Sequence, residues 1–418
     1  MQEDELAKTL PRFGRAPYPL VAVVFFAQIG LGMILFAVFQ EYVPGHLGAS
    51  DRWPGLLLAA YGLSRFFCET PTGAFSDRRE RKLGMMIGFG LMVPAIIAMA
   101  LVEDVVAFVP CAIALGIGTA FLWPTTYAIG ADLYRAERRG QVVAIVNVGQ
   151  LFGFGLGALI GAVLVERAPA FVFAFGGAAI ALAFVSAVVG IPPYRTGRLW
   201  GQAARGPGQR RASLRSVMTP QLAVLCALIL VANSGLTMIF PAIRPLGEEQ
   251  LGVSFATLTV GLIPAVVLGA LFYIPAGHIT DRFGRVGPFF AGQILVVVGM
   301  FAIAETGSVF VASGAGAVIF LGNVLTVPAV NAAVMDLAPP SHRGALIGLT
   351  VALSGLGLAL GPAAGGFIAE EASPAATFRV AAVVSAVTGL AVVLYGRAFA
   401  VKTAGQPDSL AALREPGA

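Results

Sequence analysis

The stretch GAFSDRRERK at residues 73–82 returns in altered form as GHITDRFGRV at 277–286. The shift of 204 residues (73 to 277) holds well beyond that stretch. It carries Asp132 onto Asp336, Pro124 onto Pro328, and the Arg139-Gly140 pair onto Arg343-Gly344. Gly157 and Gly161 map onto Gly361 and Gly365 in the same way. With one residue of slippage, QIGLGMI at 28–34 maps onto NSGLTMI at 233–239. The chain is two copies of one unit. Duplication in a very apolar chain points to two membrane lobes with a binding site between them.

Composition leads to the membrane independently. Hydrophobic residues make up 57% of the chain and charged ones 12%, against roughly 25% charged in soluble domains. A spanning helix needs about 20 mostly apolar residues. Such runs occur at 18–42, 54–76, 84–102, 106–131, 142–165, 170–191, 220–243, 255–278, 287–304, 309–335, 345–369 and 376–396. The expected fold is therefore an all-α membrane protein, with twelve transmembrane helices in two pseudo-symmetric six-helix bundles. The bundles cover 18–192 and 220–397, joined by a linker at 193–219 and flanked by tails at 1–17 and 398–418.

Charge placement sets the orientation. Lys and Arg concentrate in the tails, in the linker and in the loops after the even-numbered spans, whereas the opposite side keeps Arg52, Arg167 and Arg379. By the positive-inside rule both tails are cytoplasmic, in a cell (inner) membrane. The net charge of +5 follows from this topology and does not call for nucleic acid. The linker carries six Arg and no acid, which suits a flexible cytoplasmic segment lying on anionic headgroups, or a partner-docking segment. The first 17 residues lack a signal-peptide pattern.

Enzymatic motifs are missing. No nucleophile elbow, phosphate loop or His-Glu-x-x-His helix is present, and His46, His278 and His342 share no metal-ligand spacing. Cys68, Cys111 and Cys226 all fall in apolar segments, as packing residues do. No cofactor is expected. The expected partners are a small-molecule substrate, protons and the lipid bilayer, with the chain a monomer.

The repeated loop reads physically as a conformational lock or as a basic loop that only sets topology. Gly73 lets another helix approach, and Asp77 can cap the positive N-terminus of a neighbouring helix. Recurrence from Gly277 to Arg285 favours the lock, which comprises Gly73, Asp77, Arg78, Arg81, Gly277, Asp281, Arg282 and Arg285.

At these residues the chain resembles the major facilitator superfamily, whose loop runs Gly-x-x-x-Asp-Arg-x-Gly-Arg-Arg/Lys. The first copy departs from it at Glu80 and the second at Val286. The resemblance implies two six-helix bundles rocking about a central cavity. It extends in part to twelve-helix drug–proton antiporters. GLALGPAAGG at 357–366 fits their glycine–proline pattern, but in the eleventh span and not the fifth. The fifth span offers Gly149, Gly153, Gly157 and Gly161 with Ala158 in place of the proline, and Ala112 stands where an Arg is usual. Such glycine ladders serve helix packing or coupling.

An ionisable group deep in a membrane helix costs roughly 2.5 kcal/mol or more, so each needs a reason. Arg65 and Glu69 stand four residues apart on one face and either neutralise each other structurally or carry protons, with Glu69 the acceptor. Glu41 and Arg244 sit near the outer ends of symmetry-related spans and are either interfacial charges or a gate, and Glu41 joins Glu69 and Arg65 as a proton-coupling candidate. Pro241 and Pro245 should break the helix around Arg244. Cavity candidates are Gln28 with its repeat mate Asn233, Trp123, Tyr127, Asn147, Gln150, Asn323, Asn331 and Arg244. Few charges and many apolar residues suit a lipophilic or amphipathic substrate, exported in exchange for protons. The alternatives are a carrier of a small organic anion using Arg65 and Arg244, or a membrane receptor or assembly factor that does not transport. An anion carrier would need an Arg left unpaired in the empty protein.

Overall fold

In the computed structural model the described residues are 18–133, 136–191, 218–337 and 343–400. They form helices and no strands. The first lobe contains α1 (Tyr18–Leu47), α2 (Arg52–Arg78), α3 (Arg81–Leu101), α4 (Val105–Leu133), α5 (Ala136–Arg167) and α6 (Pro169–Gly190). The second contains α7 (Pro220–Gln250), α8 in two pieces (Phe255–Gly261 and Ile263–Phe283), α9 (Val286–Glu305), α10 (Val309–Leu337), α11 (Arg343–Glu371) and α12 (Pro374–Ala400). Among the described residues, 11 of these helices are long and apolar enough to cross a membrane. The exception is α2, whose polar residues lower its hydropathy, and these include Arg65 and Glu69.

Local chemistry sets the helix ends. Pro169, Pro220 and Pro374 occupy first-turn positions, where the missing N–H costs nothing. The hydroxyls of Thr219 and Ser254 accept from Leu222 N and Thr257 N at the helix starts. Gly48 closes α1 in the left-handed region, with φ +64°. Two helices are irregular at one end of the molecule. α1 widens into a π-helix over Met33–Tyr42, and α7 breaks at Phe240–Ala242 before a π turn at Leu246–Gln250. Pro241 and Pro245 supply the physical reason for the break in α7.

The repeat is visible in the helix boundaries, because α4 and α10 start and stop at residues 204 apart, Val105 with Val309 and Leu133 with Leu337. It is visible in packing too. α5 lies so close to α1 that a Cβ at Gly157 would collide with the carbonyl of Ile29. Its mate Gly361 packs against the carbonyl of Ser234 in the same way. The glycine ladders are therefore backbone contact surfaces, the packing outcome of the two readings. One hydrophobic core spans both lobes, burying Phe39, Phe89 and Phe108 of the first with Phe255 and Phe378 of the second. Apolar side chains such as Phe67, Val189, Phe310 and Leu394 remain exposed, as a lipid-facing surface requires.

The lobes touch along two symmetry-related seams, α2 with α11 and α5 with α8. Contact gathers at one end of the molecule. There Gly55 and Gly62 of α2 meet the backbone of Pro362 and Ala359 of α11. Toward the other end, Gly277 of α8 and Gly348 and Gly355 of α11 have open space where a Cβ would stand.

Candidate functional site

Between the lobes lies a cavity of about 540 Å³. α1 and α2 bring Gln28 and Arg65 to its wall, α4 brings Trp123 and Tyr127, and α5 brings Asn147 and Gln150. The second lobe supplies Asn233 from α7 and Asn323 and Asn331 from α10. All these positions had been singled out in the sequence. Tyr61, Thr237, Tyr273, Gln293, Thr326 and Phe320 line the cavity as well and had not been. A signal did exist for Tyr273, which is the repeat mate of Glu69, one position per lobe on the same ridge.

The polar groups are partly tied to the scaffold. Trp123 and Tyr127 stack with centroids 5.7 Å apart, and the Tyr127 hydroxyl donates to Asn147 Oδ1 at 3.1 Å. Asn233 Nδ2 donates to the carbonyl of Ile229 in its own helix at 2.9 Å. Gln293 Nε2 donates to Thr326 Oγ1 at 3.3 Å.

Arg65 is the one charged residue among the described residues that line the cavity. Glu69, one turn along α2, is not part of the wall. Its Oε1 lies 3.6 Å from Arg65 Nη2. The contact is ionic without being a hydrogen bond, and neither Glu69 oxygen nor Arg65 Nε has a hydrogen-bond partner. At the equivalent positions of the second lobe, Gly269 and Tyr273, there is no such pair. The repeat puts Gly269 where the first lobe has Arg65, and the ring of Phe320 fills the space against it. Phe320 is itself the mate of Gly116. Gly116 packs against Ser64 and the backbone of Tyr61.

Arg244 was expected in the cavity wall, but the structure places it at the closed end, outside the residues lining the cavity. Its Nε lies 3.0 Å from Glu41 Oε2, its Nη1 3.4 Å from Asp51 Oδ1 and its Nη2 2.9 Å from Glu248 Oε2. Glu41 and Glu248 both sit on the π-helical turns and meet at one guanidinium. Sequence reasoning had paired Arg244 with Glu41 alone. Burial holds the Asp51 carboxyl above the ordinary carboxylate range, with Arg244 opposing the shift.

Two further bonds close this end, and they too are repeat mates. Glu370 Oε2 at the end of α11 accepts from Arg52 N at the start of α2, at 3.0 Å. Glu166 Oε1 at the end of α5 accepts from Ala256 N at the start of α8, at 2.7 Å. Residues 52 and 166 map by the repeat onto 256 and 370. Each carboxylate thus caps the positive N-terminus of a helix in the opposite lobe.

At the open end the contacts shown at Gly73, Asp281 and Arg285 of the repeated loop lie within their own lobes. Gly73 has only Pro124 of its own lobe nearby. Asp281 pairs with Arg285 at 3.6 Å, and Arg285 also reaches Asp336 at 2.8 Å, all within the second lobe. Arg282 lies over the Phe283 ring, and the buried Arg81 reaches Ser76 Oγ at 3.5 Å. The side chains of Asp77 and Arg78 lie outside the described residues, as do those at the expected seat of Asp77 near residues 344–347, Leu346 excepted.

Comparison with known proteins fits this architecture. The family model of the Major Facilitator Superfamily matches residues 20–272 and 263–414. The chain is 26% identical to the uncharacterized MFS-type transporter YuxJ of Bacillus subtilis, over 80% of this chain and 86% of that protein. It is also 26% identical to the multidrug resistance protein MdtH of Photorhabdus laumondii, over 83% of this chain and 80% of that one. The crystal structure of the human organic anion transporter MFSD10 (TETRAN) superposes with a TM-score of 0.63 at 19% identity, covering 90% of this chain and 99% of that one. Two homologous six-helix lobes around a shared cavity, the repeated Gly–Asp–Arg loop and the match along nearly the whole chain all agree: the protein is a multi-pass membrane protein of the Major Facilitator Superfamily.

Proposed function

We propose that this protein is a proton-coupled secondary transporter that exports amphipathic small molecules by alternating access. One observation carries the reading: the inter-lobe cavity, walled mainly by apolar and aromatic side chains, is closed at one end and reachable from the other. With the basic loops and both tails in the cytoplasm of a cell (inner) membrane, the closed end faces outward. A cavity loading from the cytoplasm is what an exporter presents to its cargo. Relatives named multidrug resistance proteins add support.

In the proposed cycle the lobes rock about the cavity. Arg244 with its carboxylates, and the caps supplied by Glu166 and Glu370, hold the outer end shut. Asp77 and Asp281 engage at the inner end when the outer end opens. Glu69 is the coupling carboxylate. The pull of Arg65 favours its charged form and the apolar surroundings favour its neutral form, so a change of solvent access switches the balance. The test is export of lipophilic dyes from proteoliposomes under an imposed pH gradient. Accumulation that follows the gradient, and collapses when a protonophore is added, supports the reading. Dye movement independent of the gradient in both orientations refutes it.

A further inference from the structure

From the cavity's electrostatics we infer that the substrate carries one anionic group, which binds the cavity-facing edge of Arg65, while its apolar body lies against the aromatic wall. This rests on the proposed function, since it names the substrate class of the same cavity.

The argument begins with unused capacity. A guanidinium offers five N–H donors in a planar fork that matches a carboxylate or sulfonate. Arg65 spends little of that fork. Its ion pair with Glu69 involves Nη2 at 3.6 Å without a hydrogen bond, the Tyr61 hydroxyl engages one further N–H, and its buried Nε has no partner. A buried charged donor left in that state is costly unless a ligand completes it. The side chain is 15% exposed, and its exposed part is on the cavity wall. Glu69 stands behind it and does not line the cavity. An entering molecule therefore meets the cation and not the carboxylate.

The rest of the wall does not compete. Among the described residues its other polar members are neutral amides, hydroxyls and phenols. Amides of this kind accept a substrate's neutral polar groups without fixing a charge. An ammonium group, by contrast, would have no exposed carboxylate to meet. Arg244, the other cation once considered for an anion, is already surrounded by Glu41, Asp51 and Glu248. Of the two, only Arg65 lines the cavity, and it has one carboxylate beside it where Arg244 has three. Outward movement of an anion is, in addition, favoured by an inside-negative membrane potential.

The test uses a matched trio of probes, 4-phenylbutyrate, 4-phenylbutanamide and 4-phenylbutylammonium, with the full-length transporter in lipid nanodiscs and titration calorimetry. The anion should bind about tenfold tighter than the amide or the ammonium. Glu69→Gln should tighten the anion further, because it removes the internal competitor for Arg65. The double variant Arg65→Gln/Glu69→Gln, which leaves no uncompensated charge, should lose the anion's advantage while retaining the amide. A merely structural pair predicts no tightening in Glu69→Gln. Equal affinities for the three probes, no binding of the anion, or a preference that survives the double variant would overturn the inference. Trp123→Ala separates this failure from failure of the cavity reading. If Trp123→Ala weakens the amide and no anion preference exists, the cavity reading stands and the anion site falls. If it leaves all three probes unchanged, the cavity itself is not where they bind.

Discussion

Two arginines in this molecule sit among carboxylates, and they are partnered in opposite ways. Arg65, in the middle of α2, has one carboxylate at 3.6 Å and a free Nε. Arg244, at the closed end of α7, has three carboxylates between 2.9 and 3.4 Å, two of them from the opposite lobe. An over-partnered cation at a lobe interface acts as a clamp, because separating the lobes strips it of charge-assisted contacts. An under-partnered cation in a cavity wall retains capacity for a ligand and for a change in its neighbour's protonation. Residue type is the same in both places, and geometry assigns the difference.

The contrast breaks most decisively at Glu69. Glu69→Gln should abolish transport driven by a pH gradient, read as proteoliposome flux with and without the gradient. Full gradient-driven flux in that variant would return the pair to a structural role and move attention to Glu41.

The clamp is tested next. Arg244→Gln leaves Glu41, Asp51 and Glu248 facing one another without a counter-ion. It should shift the equilibrium toward opening of that end by about 1–2 kcal/mol, or roughly tenfold in population. Spin-label distances between the ends of α1 and α7 measure this. The sequence alone suggests that reversing both charges of the Glu41–Arg244 pair would restore closure. The structure predicts otherwise, since Arg244→Glu sets a new carboxylate against Asp51 and Glu248. Rescue by the double reversal would show that those two contacts carry no weight.

The paired helix caps should matter less. Glu166→Ala and Glu370→Ala should each favour opening by about 0.3–1 kcal/mol, with nearly equal effects, since the two are repeat mates. Strongly unequal shifts in cysteine accessibility at the closed end would show that the seams are not equivalent.

The smallest effect expected is pH sensing at Asp51. Burial of part of its side chain at the closed end holds the carboxyl above the ordinary range, and it should return to that range once the end opens. The closed form therefore holds the proton more tightly. The resulting preference for closure is complete below the ordinary carboxylate pKa and is lost as pH rises through the raised value. Asp51→Asn should remove this part of the pH dependence and favour closure at neutral pH. An unchanged pH profile of the spin-label distances would assign the dependence to other groups.

Much of the fold was legible because its signals are local or periodic. Apolar runs of spanning length give the helices, Pro241 and Pro245 give the break in α7, and the shift of 204 residues gives the two lobes. The cavity residues were partly legible, since amides and aromatics inside membrane helices are conspicuous. Tyr61 and Thr237 escaped notice because nothing in their own stretches distinguishes a wall residue from a packed one. Glu248, four residues beyond Arg244, was readable in principle, whereas Asp51 belongs to a loop whose position only packing fixes.

By itself, the sequence determined membrane residence, the duplicated helical architecture and the short roster of intramembrane charges. Those follow from hydrophobic transfer, from repetition and from the cost of burying a charge, each of which is written along the chain. The tertiary structure alone decided which charge meets which. It set Arg244 among three carboxylates, put Glu69 behind Arg65 and made Glu166 and Glu370 the caps of helices in the other lobe. Coulombic and hydrogen-bonding energies depend on ångström separations between residues far apart in the chain, and helix packing alone fixes those separations.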